Sequence, residues 1–341
     1  MAKKDTSTSR REFIAKTGEV GLASMLTVSL ATSNEGVGAE PAKPLPDVKK
    51  QMPMRKLGKT GVDVSILGVG GGGRGRNPQI RGTKDRNNVR EQAERILHRA
   101  LDLGINYIDT CTGYGESESI IGEVAASRRK EMFLATKCDK CHVAGDQLRR
   151  ELEQSLERLR ADQLDLWQIH NIATLQQVET IFKNDGAIEV FRKAKQEGIA
   201  RFIGITVHSS RKVIDETLRR CRASGIMMDT LLVNFNPADE ARGGHGRQIL
   251  KDHPSIGKIA MKVFGSDGAP IIHREKLSAE TALRYVLSHN FATVIIGTHT
   301  LAELEENVSI VRSFRPYSDA ELREIEKQIH GARGGLWTLN A

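Results

Sequence analysis

Four side chains of types that move protons follow one another along the chain: Asp109, Tyr114, Lys137 and His170. The pKa of an unperturbed tyrosine is about 10, and a nearby lysine ammonium lowers it because it favours the phenolate. An aspartate beside the lysine would hold the ammonium in place and keep it charged. A histidine close by could orient a substrate oxygen or share in the proton transfer. Brought together, the four could give a proton to a carbonyl oxygen or take one from an alcohol.

Each of these residues ends, or closely follows, a short apolar run. Eight such runs are rich in Val, Ile or Leu and show little polar alternation, which is typical of strands buried on both faces. The predicted strands are Ser65–Gly70, Asn106–Thr110, Met132–Lys137, Leu164–His170, Phe202–Val207, Thr230–Phe235, Lys258–Phe264 and Ala292–Gly297.

Helical patterns lie between the strands, and only the glycine-rich stretch after Phe235 is loop-like. Eight strands alternating with helices over about 250 residues predict an α/β fold, a (β/α)8 TIM barrel, whose chemistry gathers at the C-terminal ends of the strands. The alternative is an open doubly wound sheet. Its phosphate-binding fingerprint needs a helix after the first strand, but a polar, arginine-rich segment follows the glycines here. The predicted helices are Arg90–Leu103, Glu116–Ser127, Asp146–Arg160, Gly186–Gln196, Arg211–Ala223, Ala279–His289 and Leu301–Val311.

The strand ends resemble the motifs of the aldo-keto reductase family, in that family's order, from about residue 54 to residue 311. The resemblance implies that Tyr114 is the general acid in reduction and the base in oxidation. It also implies that Lys137 and Asp109 tune the tyrosine, and that His170 completes the oxygen-binding pocket. The substrate would be a small-molecule aldehyde or ketone, including sugar-type carbonyls, or the corresponding alcohol. The segments that carry the resemblance are Ile108-Asp109-Thr110, Gly113-Tyr114-Gly115-Glu116-Ser117-Glu118, Thr136-Lys137 and Gln168-Ile169-His170-Asn171.

A phosphate site is predicted where the last strand meets its helix. A glycine turn and hydroxyls before a helix suit an anion because free N–H groups and the helix dipole point at it; simple capping by Thr298 or Thr300 is the alternative. The family resemblance implies an NAD or NADP cofactor, with Phe235 offering an aromatic face to the nicotinamide. Glu303 stands where NADP-preferring members carry arginine, so we expect a slight preference for NAD. The predicted cofactor-binding residues are Thr206, Phe235, Lys262, Gly297, Thr298, Thr300, Glu303, Glu306 and Asn307.

The segment from Cys138 to His142 has the CxxCH spacing of a c-type haem attachment site, with Cys141 as its second thiol. Haem c is disfavoured because no segment has the form of a cytochrome domain and no sixth ligand is evident. A local disulfide, a metal pair and loop residues without special chemistry are the alternatives. An exported redox protein that uses this segment, and a catalytically silent nucleotide-binding barrel, are therefore the rival functions.

The N-terminus resembles a twin-arginine secretion signal. Ser9-Arg10-Arg11-Glu12-Phe13 is followed by an apolar stretch too short to span a bilayer and by small residues at 37–39. A disordered tail with a chance arginine pair is the alternative. We predict a signal peptide over 1–39, a proline- and lysine-rich linker over 40–53, the barrel over 54–333 and a tail over 334–341. The twin-arginine machinery would export the protein to the periplasm or the exterior, with no stable membrane anchor.

Overall composition excludes several classes of protein. The formal net charge of +8 comes from interspersed charges, as in the 149–160 segment, which is typical of solvated helix faces and argues against nucleic-acid binding. Four cysteines in 341 residues do not make a disulfide scaffold. The 39% hydrophobic content supports one large core.

Overall fold

The computed structural model describes residues 51–72, 86–139, 141–207, 211–266, 269–271 and 277–330. The predicted signal peptide, the linker up to residue 50 and the C-terminal tail lie outside these residues. Within the described ranges, no helix combines the length and the apolar character that a membrane crossing needs.

Eight parallel strands close into a barrel, and each strand pairs with the next along the chain until the last pairs with the first. Helices follow the strands, so the predicted (β/α)8 TIM barrel is confirmed. The barrel strands are β3 (Leu67–Gly70), β4 (Tyr107–Asp109), β5 (Phe133–Cys138), β6 (Leu164–Ile169), β7 (Ala200–Val207), β8 (Thr230–Asn234), β9 (Gly257–Met261) and β12 (Thr293–Ile296).

All seven predicted helices are present, and the described residues form four further α-helices. One of the additions begins just after Phe235, because the Asn236 side chain caps its first turn and Pro237 occupies its first position. The helices are Arg86–Asp102, Ser117–Arg128, Gly145–Leu159, Leu175–Ile181, Ala187–Gln196, Arg211–Ala223, Pro237–Ala241, Gly246–Asp252, Ala279–Leu287, Leu301–Arg312 and Asp319–His330.

Side chains that point into the barrel form two layers. Successive residues of a strand face opposite sides, so every second residue faces the interior. The deeper interior positions are apolar and form one cluster that includes Tyr107, Leu166 and Leu232. Two residues further along the same strands lie Asp109, Gln168 and Asn234, all buried. The interior is therefore apolar below and polar at the C-terminal mouth.

A small antiparallel hairpin closes the opposite end of the barrel. Its strands are β1 (Met54–Lys56) and β2 (Asp63–Ser65), and Leu57 between them is fully buried in the interior cluster. A second short antiparallel pair, β10 (Gly265–Ser266) and β11 (Ala269–Pro270), follows β9.

The last two residues of the predicted linker pack against the barrel. Met52 is 4% exposed and packs in the main core, where it lies against Gly104. The Pro53 carbonyl accepts a hydrogen bond from the Ile66 amide at 3.0 Å. Burial of an apolar side chain and pairing of the adjacent backbone tie these two residues to the barrel.

Candidate active site

A buried ion pair lies at the mouth of the barrel. The Lys137 ammonium on β5 contacts the Asp109 carboxylate at the end of β4 and also donates to the Thr110 carbonyl at 2.7 Å. The Gln168 amide donates to the second Asp109 oxygen at 3.3 Å. Burial is the largest single influence on the pKa of Lys137 and would lower it. The charge of Asp109, acting together with Tyr114 and Cys111, raises the pKa overall, so the ammonium stays charged.

Tyr114 lies next to this pair. The turn after β4 is closed by a hydrogen bond from the Tyr114 amide to the Cys111 carbonyl at 3.0 Å, and the Lys137 nitrogen is 5.0 Å from the centre of the tyrosine ring. Burial raises the pKa of Tyr114 to about 12, and the Lys137 ammonium opposes that rise. The lysine acts in the predicted direction, but burial dominates. The phenol is therefore protonated at neutral pH, as a general acid must be.

Gly72 on the rim allows the chain to pass close to this tyrosine. A Cβ atom at position 72 would lie 2.6 Å from the Tyr114 ring, well inside contact distance. The glycine-rich run after β3 therefore has a packing role here that does not depend on phosphate binding.

His170 completes the group. Its ring meets the Tyr114 ring edge to face, with centres 5.9 Å apart. Its Nδ1 lies 3.3 Å from the Cys111 sulfur and 3.3 Å from an Asp139 oxygen. Burial, followed by the positive charges of Lys137 and Lys262, lowers the pKa of His170 to about 3, so the imidazole is neutral at neutral pH.

The structure thus brings all four predicted side chains together, and it adds two that the sequence reasoning missed. Cys111 and Asp139 each lie two positions after a proposed catalytic residue, Asp109 and Lys137 respectively. That spacing was the available signal, because a residue just past a strand end must lie on the same rim.

Cys138 and Cys141 are joined in a disulfide, with Cα atoms 5.7 Å apart. The Cys141 sulfur accepts a hydrogen bond from the His170 amide at 3.3 Å, and His142 is exposed. Covalent haem attachment would need both thiols, so the haem interpretation is contradicted. Of the alternatives, the structure shows the local disulfide.

Comparison with known proteins shows the family to which the chain belongs. The family model described as "Aldo/keto reductase family" matches residues 68–269. The chain belongs to the aldo/keto reductase family. The family and the relatives named as oxidoreductases indicate an oxidoreductase.

Two relatives share most of their length with this aldo/keto reductase. The oxidoreductase YqkF of Bacillus subtilis is 29% identical over 81% of this chain and 96% of its own. The L-galactose dehydrogenase of Arabidopsis thaliana is 26% identical over 83% of this chain and 96% of its own.

Solved structures share the fold. The holo form of aldo-keto reductase AKR11C1 from Bacillus halodurans has a TM-score of 0.63 and 24% identity, covering 84% of this chain and 98% of that one. The aldo/keto reductase from Klebsiella pneumoniae in complex with NADP and acetate has a TM-score of 0.61 and 19% identity, covering 82% of this chain and 97% of that one.

The predicted phosphate site of this family member is a capped helix start. The Thr300 hydroxyl accepts from the Glu303 amide at 3.1 Å, and the Glu303 carboxylate accepts from the His299 amide at 2.8 Å. Thr300 therefore caps the helix, which is the alternative that the sequence left open. Of the other residues predicted there, Thr298 and Asn307 are buried, whereas Gly297 and Glu306 are exposed.

Three buried oxygens at the mouth suit a polar ligand. Within the described part of the chain, the Thr206 hydroxyl, the Gln168 carbonyl oxygen and the Asn234 carbonyl oxygen have no hydrogen-bond partner. They lie on the neighbouring strands β6, β7 and β8. Buried polar atoms usually find partners, so these oxygens fit the amide and hydroxyl donors of a nicotinamide nucleotide. Lys262, just beyond β9, is partly exposed, and its charge acts on His170.

Phe235 does not lie in the site, which corrects the prediction that it faces the nicotinamide. Its ring is fully buried in the outer core, 4.8 Å from the rings of His289 and Phe291 and 6.0 Å from that of Tyr285. The physical reason is strand alternation: Asn234 takes the interior position, so the next residue along points outward.

Proposed function

We propose that this aldo/keto reductase reduces an aldehyde or ketone to an alcohol, and catalyses the reverse reaction. A bound NAD or NADP would supply or accept the hydride. In reduction, the Tyr114 hydroxyl gives its proton to the carbonyl oxygen as that oxygen gains negative charge, and Tyr114 is left as phenolate. The Lys137 ammonium, held by Asp109, stabilises that phenolate, and neutral His170 contributes to the oxygen-binding pocket.

The observation that carries this proposal is the position of the buried Lys137 ammonium, which contacts Asp109 and lies 5.0 Å from the centre of the Tyr114 ring. Beside this ammonium, Tyr114 can give a proton as the phenol in reduction and take one up as the phenolate in oxidation.

The cofactor would be held along the mouth between β6 and the helix that begins at Leu301. Thr206 and Lys262 would contact the nicotinamide half, and residues 297–300 with Asn307 would contact the nucleotide half. Glu303 and Glu306 would lie near the adenosine ribose. We propose that NAD is slightly favoured, because the Glu303 carboxylate repels a 2′-phosphate.

Sugar-type carbonyls are the proposed substrate class. Two relatives carry names of this kind: the L-galactose dehydrogenase already described, and the 6-dehydroglucose reductase of Novosphingobium aromaticivorans, which is 27% identical over 76% of this chain and 90% of its own. A screen of aldoses, keto-sugars and small aldehydes with NADH and NADPH tests this part.

The central test is Tyr114→Phe. We expect kcat/KM for carbonyl reduction to fall by about 100- to 10,000-fold, because the general acid is removed while the ring is kept. Nucleotide affinity, followed by fluorescence quenching, should stay within about twofold, since less than about 0.4 kcal/mol would change. A variant that keeps wild-type turnover would refute Tyr114 as the acid. Nucleotide binding by the wild type without turnover of any carbonyl would favour a silent nucleotide-binding barrel.

We also propose that the chain is exported by the twin-arginine machinery. Support comes from the Ser9–Phe13 motif and from the order of the basic, apolar and small-residue regions that follow. Replacing Arg10 and Arg11 by lysine should retain the protein in the cytoplasm, as measured by cell fractionation. Equal export of the double variant would contradict the proposal.

A further inference from the structure

Three different metal-ligating groups meet beside the proposed catalytic tyrosine. The Cys111 sulfur, the His170 Nδ1 and an Asp139 carboxylate oxygen all lie within 4.8 Å of one another. The sulfur and the carboxylate oxygen are each 3.3 Å from the ring nitrogen. The reaction proposed above uses neither Cys111 nor Asp139.

The two separations from the His170 nitrogen are close to those of a tetrahedral zinc site. Zinc binds thiolate at about 2.3 Å, imidazole at about 2.0–2.1 Å and carboxylate at about 2.0–2.2 Å. At tetrahedral angles, those bond lengths separate sulfur from nitrogen by about 3.6 Å and nitrogen from oxygen by about 3.4 Å. The two distances to the ring nitrogen differ from these by only a few tenths of an ångström. The distance from sulfur to carboxylate oxygen is at most 4.8 Å and would shorten to about 3.6 Å by rotation of the half-exposed Asp139 side chain.

The three ligands are held by separate parts of the barrel. Cys111 follows β4, Asp139 follows β5 and His170 follows β6, so their spacing depends on adjacent parallel strands. The Asp139 amide donates to the Thr112 hydroxyl at 3.0 Å and to the Glu151 carboxylate at 3.1 Å. The adjacent Cys138–Cys141 disulfide restrains the same segment.

Access and charge are also suitable. The Asp139 side chain is 45% exposed, so an ion can enter from solvent, whereas Cys111 is buried at the base of the cluster. The thiolate and the carboxylate together neutralise a divalent ion. This neutrality matters because the Lys137 ammonium, which contacts the carbonyl of the neighbouring Thr110, would repel a net cation.

We propose that Cys111, Asp139 and His170 bind one zinc ion, with water in the fourth position. A thiolate, an imidazole and one carboxylate favour zinc over magnesium or calcium, which take all-oxygen sites. This site is separate from the nicotinamide site and shares only His170 with the proposed catalytic group.

Zinc at this site would also affect the role of His170 in catalysis, an inference that rests on the proposed function. Zinc at Nδ1 leaves the ring proton on Nε2, where it can be donated to a substrate oxygen. Without metal, the Asp139 carboxylate can only accept, so it draws the proton to Nδ1 and leaves Nε2 as an acceptor. Zinc would therefore select the histidine tautomer that favours carbonyl reduction.

The test uses the full exported chain with its disulfide intact. After dialysis against a chelator without reductant, the protein is titrated with zinc sulfate, and bound metal is measured by mass spectrometry after gel filtration. We expect about one zinc per chain for the wild type, and affinity at least about 100-fold weaker for Cys111→Ala and Asp139→Asn, since each loses one of three protein ligands. Cys221→Ala, which removes the other buried free cysteine, is the matched control and should bind like the wild type.

Cobalt gives a second readout. Cobalt in place of zinc should produce a near-ultraviolet thiolate-to-metal absorption band that Cys111→Ala lacks and Cys221→Ala retains. Circular dichroism confirms that each variant is folded. No bound zinc in the wild type, equal zinc in Cys111→Ala, or loss of zinc only on His142→Ala would overturn the site. Tyr114→Phe should bind zinc normally, so failure of the reductase proposal and failure of the zinc proposal are distinguishable.

Discussion

The Lys137 ammonium and the Asp109 carboxylate are almost wholly removed from water, with side chains 1% and 5% exposed. Taking two charges out of water is expensive, and their mutual attraction only offsets that cost while both are present. The pair therefore has a clearer role in the proposed reaction than in the net stability of the fold. Each charge needs the other, because either residue alone would be an unpaired charge in the protein interior.

Replacing one partner should expose this dependence. We expect Lys137→Met to lower the free energy of unfolding by about 3–5 kcal/mol, because Asp109 is left as an unpaired buried charge. The double variant Asp109→Leu/Lys137→Met should be more stable than Lys137→Met alone, although inactive. Urea denaturation at pH 7 measures both. A double variant no more stable than the single one would show that the pair itself contributes the stability.

Two partly buried histidines should make the fold sensitive to acid. Burial is the main cause that lowers the pKa of His170 to about 3 and that of His289 to about 4, from an ordinary value of 6.5. Between about pH 6.5 and pH 4 the unfolded chain binds protons that the folded chain does not. The stability conferred by these neutral imidazoles is therefore present above pH 6.5 and is lost as the pH falls.

Each histidine should contribute a slope of about 1.4 kcal/mol per pH unit in that window. His289→Phe keeps an aromatic ring against Phe235 and Tyr285 but cannot take up a proton. We expect the loss of unfolding free energy between pH 7 and pH 4.5 to be smaller in this variant than in the wild type. An identical pH dependence, measured by urea denaturation, would rule out His289 as a source.

At the scale of elements, the start of the Leu301–Arg312 helix combines two roles for one side chain. Glu303 accepts the His299 amide and so holds the turn before the Thr300 cap, and its charge lies near the proposed position of the adenosine ribose. The hydrogen bond from His299 needs only an acceptor oxygen at position 303, whereas repulsion of a 2′-phosphate needs the negative charge of the carboxylate.

Glu303→Gln separates the two roles. The amide oxygen can still accept from His299, so the free energy of unfolding should change by less than about 0.5 kcal/mol. Loss of the charge should improve NADPH binding relative to NADH by about fivefold, or roughly 1 kcal/mol. Fluorescence titration of both nucleotides measures the ratio, and an unchanged ratio would mean that Glu303 does not face the 2′ position.

At the scale of the whole molecule, the two ends of the barrel have different tasks. The C-terminal mouth holds the polar group around Tyr114, and the N-terminal end is closed by the β1–β2 hairpin with Leu57 buried beneath it. In barrels of this kind, chemistry belongs to the first end and stability to the second.

Leu57→Ala should therefore affect stability alone. We expect the free energy of unfolding to fall by about 2–5 kcal/mol, because the truncated side chain leaves a cavity. The kcat of the folded variant at 25 °C should remain within about twofold of the wild type. Thermal unfolding and steady-state assays provide the two measurements. A large fall in kcat at unchanged stability would show that the two ends are coupled.

Much of the architecture could be predicted from local patterns. Apolar runs of strand length, alternating with helical periodicity, identify a barrel because burial on both faces leaves few other arrangements. The proposed catalytic group could also be predicted, because Asp109, Lys137 and His170 end successive strands whose tips must share one rim. The burial of Met52 in the core could not be predicted, because a single apolar residue beside a proline shows no periodicity.

The sequence itself thus determined where the strands end, and with that the rim on which the four proposed catalytic side chains meet. Only the tertiary structure decided which way each side chain faces and what surrounds it. Phe235 turned outward because its neighbour took the interior position, and Cys111 and Asp139 reached His170 across separate strands. Burial, which no short motif encodes, kept the Tyr114 phenol protonated despite the nearby ammonium, since desolvation depends on every residue packed around the group.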